Sequence, residues 1–155
     1  MSFIIVTLSF SIEQHFKGFS IVLNDDTRVH IGDVYMTNFT PSEPDGLEFT
    51  WRFNIIDDPI QSIGYITAKH IDPIVESGPI LMKVNKKPFC FLNYFVDYIP
   101  EIEMFATFSE YKFTIPASFL KKGENTFTLQ SIKTEKKGFD DINVKKLVIK
   151  IRISK

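Results

Sequence analysis

An all-β, two-sheet antiparallel β-sandwich is the fold class this chain predicts, and three observations carry that prediction. Apolar and polar residues alternate with a period of two through much of the chain, and no stretch sustains the roughly 3.6-residue period of an amphipathic helix. Turn clusters rich in Pro, Gly, Asn and Asp separate the alternating runs at intervals of about 8–12 residues. Phenylalanine is abundant, 16 residues against one tryptophan, and it suits half-buried pleated surfaces and the space between packed sheets. With 155 residues, the chain fits a single domain spanning 1–155, long enough to bury a core without staples.

The elements follow in order. The apolar start Phe3-Ile4-Ile5-Val6 reads as a strand rather than a secretory leader. No basic segment precedes it, Thr7, Ser9 and Ser11 interrupt it, and no small-residue cleavage site follows. Phe19 to Leu23 forms a second run that stops at the turn cluster Asn24-Asp25-Asp26. Val29 to Met36 forms a third, ahead of the Pro-rich turn region Thr40 to Gly46. Leu47, Phe49, Trp51, Phe53 and Ile55 then share one face while Glu48, Thr50, Arg52 and Asn54 share the other, so Trp51 belongs to the core. Asp57-Asp58-Pro59 ends that strand. Ile63 to Ile71 and Ile80 to Val84 are further strands, the latter closing on Asn85-Lys86-Lys87-Pro88. Phe89 to Phe108 loses the alternation and reads as a long excursion between strands.

Alternation returns at Phe113 and Ile115, and Pro116 stops the ladder because it has no N–H to donate. Ala117 to Leu120 suits a single turn that buries Phe119 or Leu120 as a plug, and Gly123 supplies the permissive backbone to leave it. Phe127 and Leu129 resume the inward face. In the last strand Leu147, Ile149, Ile151 and Ile153 point in while Lys146, Val148, Lys150 and Arg152 point out.

The stretch Phe113 to Gln130, FTIPASFLKKGENTFTLQ, resembles a recurrent segment of the galactose-binding-like jelly rolls. There a strand ends in Ile-Pro, a short turn follows, and Gly-Glu-Asn introduces the next strand. ILMKVNKKPF resembles the strand and hairpin of the same template, and FDDINVKKLVIKI its closing strand, so the match covers Ile80 to Ile153. The resemblance implies a jelly roll of the kind found in many carbohydrate-binding modules and glycosidase accessory domains. Lys86 stands where that pattern has Gly after the hairpin Asn. A type I′ turn would hold Lys86 at positive φ at some cost, so a longer or different loop is expected there.

Charge and composition narrow the function classes. A net charge of -1 and a pI near 6.3 give no electrostatic reason to expect nucleic acid. No apolar run reaches the roughly 18 residues of a membrane span. Cys90 is the one cysteine, which excludes an intrachain disulfide and a multi-cysteine metal cage and leans towards a reducing, cytoplasmic compartment. Flanked by Phe89 and Phe91, it reads as a buried, inert thiol. His15, His30 and His70 lack metal-ligand spacing and read as surface or locally hydrogen-bonded imidazoles. No nucleophile-elbow, Walker or dinucleotide string is present, and the chain is not expected to be an enzyme.

Two sets of residues remain. Of the acidic pairs, Asp140-Asp141 precedes the closing strand and is the candidate for the structural Ca²⁺ that jelly rolls of this type often hold. The preference of Asp for turns, where its side chain hydrogen-bonds the backbone, is the simpler account of each such pair. Sugar binding needs exposed aromatic rings together with Asn, Asp, Arg or His for the hydroxyls. Within Asn93 to Glu101, Asn93, Tyr94, Asp97 and Tyr98 meet that description, with His70 or Arg52 contributing from an adjoining face. The same aromatics would also suit a covered sheet edge or a subunit contact. The sequence therefore predicts a non-catalytic binding module, with carbohydrate the ligand class implied by the resemblance. Its alternative is a structural or assembly protein whose sandwich mediates homo-oligomer or protein–protein contacts.

Overall fold

The computed structural model describes residues 18–70, 78–92, 108–136 and 138–153. Its strands are β1 (Phe19–Ile31), β2 (Glu48–Ile55), β3 (Pro59–His70), β4 (Ile80–Val84), β5 (Lys87–Phe91), β6 (Ser109–Ile115), β7 (Gly123–Ser131) and β8 (Ile142–Ile153). They make two four-stranded sheets, in the orders β1-β8-β3-β6 and β2-β7-β4-β5, with antiparallel pairing throughout. This is the all-β jelly-roll sandwich expected from the sequence. Among the described residues no helix is long and apolar enough to cross a membrane. The strand expected at Phe3–Val6 lies outside the described residues.

Alternation decides what each sheet buries. Along β2, Trp51, Phe53 and Ile55 are buried, while Thr50, Arg52 and Asn54 face out. In register with them on β7, Phe127 lies opposite Trp51, and both belong to the core as predicted. Phe113 of β6 reaches across the layers to stack on Phe127 with ring centroids 5.5 Å apart. Leu147, Ile149 and Ile151 of β8 are fully buried in the middle of their sheet. Each such side chain contributes about 1.5–3 kcal/mol by leaving water, so the phenylalanine excess is largely core filling.

The Ile-Pro stretch folds as the sequence indicates. β6 stops at Ile115, Ala117–Phe119 form one 3₁₀ turn, and Leu120 is the buried plug. Gly123 leaves the turn at φ +91, a conformation that a side chain would strain. Asn125 then satisfies its whole amide: its Oδ1 accepts from Lys121 N and Asn85 Nδ2, and its Nδ2 donates to the carbonyls of Lys121 and Gly123. Asn85 in turn accepts from Thr126 N and donates to Phe119 O. The Val-Asn hairpin and the Gly-Glu-Asn strand start are thus bonded to each other.

Three local expectations are corrected. Val84 pairs with Lys87, leaving Asn85 and Lys86 as a two-residue turn with φ of 50 and 68, so the hairpin is the tight primed type and not a longer loop. Asn85 favours the left-handed region and its amide network holds the turn closed, which forces Lys86 to follow. Asn24-Asp25-Asp26 does not end a strand. It is an irregularity inside the continuous β1, with Asp26 at φ 55. Finally, Lys87–Phe91 is a strand, β5, at the edge of its sheet, where Pro88 does no harm to a ladder.

Candidate functional site

The two edge strands β5 and β6 belong to different sheets, and a cleft of about 430 Å³ opens between them. Met82, Leu92 and Phe113 form its apolar floor. Ser109, Glu110, Tyr111, Lys112 and Thr114 supply the β6 wall, and Cys90 and Phe91 the β5 wall. Strand alternation explains the mixture: Ser109, Tyr111 and Phe113 turn between the layers, while Glu110, Lys112 and Thr114 turn outwards. Phe91 is 49% exposed at this rim, unusual for so large an apolar ring.

Burial sets the chemistry of the two titratable side chains in the walls. It pushes the Cys90 thiol above its ordinary pKa, which keeps it protonated and unreactive at neutral pH. It also raises the Tyr111 phenol, with a smaller push from the charge of Asp140 opposed by a hydrogen bond involving Ser109. Glu110 is the one carboxylate among the lining residues. The described lining residues therefore offer apolar contact and hydrogen bonds.

The residues singled out in the sequence distribute unevenly around this cleft. Asn93, Tyr94, Asp97 and Tyr98 lie outside the described residues, in the connection that leaves Leu92 and returns at Phe108. Leu92 is itself part of the cleft floor. His70 closes β3, its backbone opposite Ile142, and its side chain lies outside the described set. Arg52 sits on β2, the opposite edge of the sheet from β5, where it pairs with Glu124 at 3.0 Å in solvent. Three inter-strand steps of about 4.8 Å separate it from β5, so it does not reach the cleft. Ser109, Glu110, Tyr111 and Lys112 were not singled out, because SEYKFTI reads simply as an alternating strand; only its place after the irregular excursion hinted at a working edge.

Asp140 and Asp141 make separate sets of hydrogen bonds. Asp140 holds its backbone against the Ser131 hydroxyl, which both accepts from Asp140 N and donates to Asp140 O. Asp141 Oδ1 meets His30 Nε2 at 2.8 Å and accepts the Val34 N–H. A side chain on Gly32 would strike that same carboxylate, its Cβ falling 2.0 Å from Asp141 Oδ1. His30 is fully buried rather than at the surface, with Phe39 edge-on to its ring and Pro41 O at 3.1 Å from Nδ1. Both ring nitrogens of His30 thus face an oxygen, the Pro41 carbonyl at Nδ1 and the Asp141 carboxyl at Nε2. Burial raises the Asp141 pKa, partly offset by its bonds to His30 and Val34. Asn143 completes this corner by donating to Val29 O and Thr40 O. Among the described residues no group of three or more His, Cys, Asp or Glu is placed to hold a metal ion.

Two antiparallel four-stranded sheets packed on one core make a jelly-roll sandwich, and solved structures share this fold. A family 35 carbohydrate-binding module from Clostridium thermocellum shares it at a TM-score of 0.50 and 13% identity, over 84% of this chain and 97% of the module. A family 35 module from an environmental isolate matches at a TM-score of 0.50 and 14% identity, over 89% of this chain and 97% of its own. The CBM36-1 domain of a multidomain xylanase from the hindgut metagenome of Trinervitermes trinervoides matches at 0.50 and 12%, over 84% of this chain and 96% of that domain. No family model and no curated protein matches the sequence.

Proposed function

We propose that the protein is a non-catalytic carbohydrate-binding module that seats its saccharide in the cleft between β5 and β6. The observation that carries this reading is a partly apolar, polar-rimmed cleft on a jelly roll that spans nearly the full length of solved carbohydrate-binding modules. A sugar ring has an apolar C–H face and a fringe of hydroxyls, so it needs an apolar surface bordered by hydrogen-bonding groups. Phe91 and Tyr111 supply the first, and Ser109, Glu110, Lys112 and Thr114 the second. Asn93, Tyr94, Asp97 and Tyr98 join as the chain that continues directly from the cleft floor, with His70 at the neighbouring strand end. Arg52 has no part in it.

A glycan array followed by calorimetry on the best ligand tests this reading. Wild type is expected to bind at least one neutral or acidic oligosaccharide. Tyr111→Ala is expected to weaken that binding by about tenfold, the worth of one good ring contact. Tyr94→Ala and Tyr98→Ala test the connection. No binding to any glycan sinks the proposal, and binding untouched by Tyr111→Ala and Phe91→Ala removes the ligand from this cleft.

A further inference from the structure

On the outer face of the β1-β8-β3-β6 sheet, three cationic side chains from three neighbouring strands surround one phenyl ring. Arg28 Cζ lies 4.6 Å from the centroid of Phe108, Lys69 Nζ 5.1 Å and Lys145 Nζ 5.7 Å. Phe108 stands just before β6, next to Ser109, which pairs with Ala68 and so brings the ring beside Lys69. One cation suffices to cover a phenyl face. A second and third add mutual repulsion between like charges held close together.

The backbone is distorted to make this arrangement. In the β1–β8 ladder the register passes from Asp25 opposite Lys146 directly to Val29 opposite Val144, so Asp26, Thr27 and Arg28 stand against Lys145 alone. In the β3–β8 ladder Lys145 is again passed over, between the Thr67–Lys146 and Ala68–Val144 pairs. Lys145 therefore bulges out from both neighbours at the level where Arg28 leaves its own ladder. Bulges of this kind sacrifice ladder bonds and re-aim side chains. The bulge is stapled: buried Asn24 donates from Nδ2 to the Lys145 carbonyl at 3.0 Å. A buried amide committed to holding an irregular backbone indicates a built feature and not slack in the chain.

The described residues supply little negative charge to this cluster. Among the described residues no carboxylate lies within ion-pair distance of Arg28 or Lys69, and Lys145 has only the exposed Asp26 at 3.9 Å. Lys69 donates to the Asn38 carbonyl and also lies 5.2 Å from the Phe39 ring. Burial and the charge of Arg28 lower its pKa, as expected of an ammonium beside another cation.

We propose that Arg28, Lys69 and Lys145, gathered around Phe108 by the paired bulges, form an oxyanion-binding site on the outer face of this sheet. The ligand chemistry is a single carboxylate, sulfate or phosphate group, which Arg28 meets with its planar fork and the two lysines neutralise as point charges. Asp25 and Asp26 beside the cluster and the balanced net charge disfavour a long polyanion such as nucleic acid. The site faces away from the interlayer cleft and stands whether or not that cleft takes a sugar.

The test is an amide and guanidinium NMR titration with sodium sulfate in one arm and sodium glucuronate in the other, at constant ionic strength with chloride. Saturating shifts at Arg28, Lys69 and Phe108 are expected in at least one arm. Saturation by sulfate alone assigns the site to an inorganic-type oxyanion, and saturation by glucuronate to a sugar carboxylate. Lys69→Gln and Arg28→Gln, checked for native thermal unfolding, should each weaken binding by about tenfold, whereas Lys86→Gln should leave it unchanged. Shifts that never saturate, or equal affinity in wild type and both cluster variants, overturn the proposal.

Discussion

The two ends of the sandwich are closed by different chemistry. At one end, Asn85 and Asn125 lock the β4–β5 turn to the start of β7 through neutral amides whose donors and acceptors are met by backbone groups and by each other. At the other, His30 and Asp141 tie the end of β1 to the start of β8 through a 2.8 Å contact between titratable side chains. Both are buried polar centres, and both fix a loop against the layers. Only the second changes charge with pH. A polar seal made of amides is indifferent to solution conditions, whereas one made of titratable groups links the fold to them.

The comparison predicts a graded set of outcomes. Asn125→Ala has the largest expected effect, because it strands the Lys121 amide, two carbonyls and the Asn85 side chain together. A loss of about 3 kcal/mol is expected in urea unfolding, equal at pH 5 and pH 8. A strongly pH-dependent loss would break the contrast between the two ends.

Asp141→Asn comes next, at about 1–2 kcal/mol, and its signature is the pH dependence. The Asp141 carboxyl has a raised pKa in the folded state, so its contribution is full below the unfolded carboxylate range and fades as pH rises through the folded value. The cost of the substitution should therefore be greater at pH 4 than at pH 7, read from paired denaturation curves. A cost that is flat across that interval, or grows with pH, removes the raised Asp141 pKa from the account.

Lys86→Gly sharpens the amide end in the opposite direction. Lys86 holds φ 68 in the turn, so glycine should stabilise the hairpin by up to about 1 kcal/mol. The smallest effect belongs to Arg52→Ala. Its bond to Glu124 lies in solvent, with side chains 71% and 68% exposed, so thermal unfolding should shift by less than the equivalent of about 0.5 kcal/mol. The β5–β6 cleft should be unaffected, since Arg52 stands on the opposite edge of the sheet from β5.

What the sequence disclosed follows the same division. The amide end was legible because its residues carry local signals: Ile-Pro stops a strand, Gly123 permits the exit, and Val-Asn marks a hairpin. The misjudged turn at Lys86 shows the limit of that logic, since the Asn85 network that enforces it spans 40 residues to Asn125. The His30–Asp141 pair lay beyond reach for the same reason, with partners 111 residues apart and no motif between them. Asn24-Asp25-Asp26 was read as a turn because turns and bulges recruit the same residue types, and only the ladder distinguishes them. The cleft walls on β6 escaped notice because an edge strand and an interior strand share one alternation; adjacency to a ligand is set by sheet order.

The single thiol has a practical consequence. Cys90 is the chain's one cysteine and stands in the β5 wall, half-exposed to the cleft, with a pKa raised by burial. A thiol-directed fluorophore, coupled at a pH high enough to ionise this buried thiol, would label one position only and place its dye at the cleft mouth. The molecule thus offers a ready-made optical sensor, in which a bound guest would announce itself as a change in emission, without any engineered cysteine.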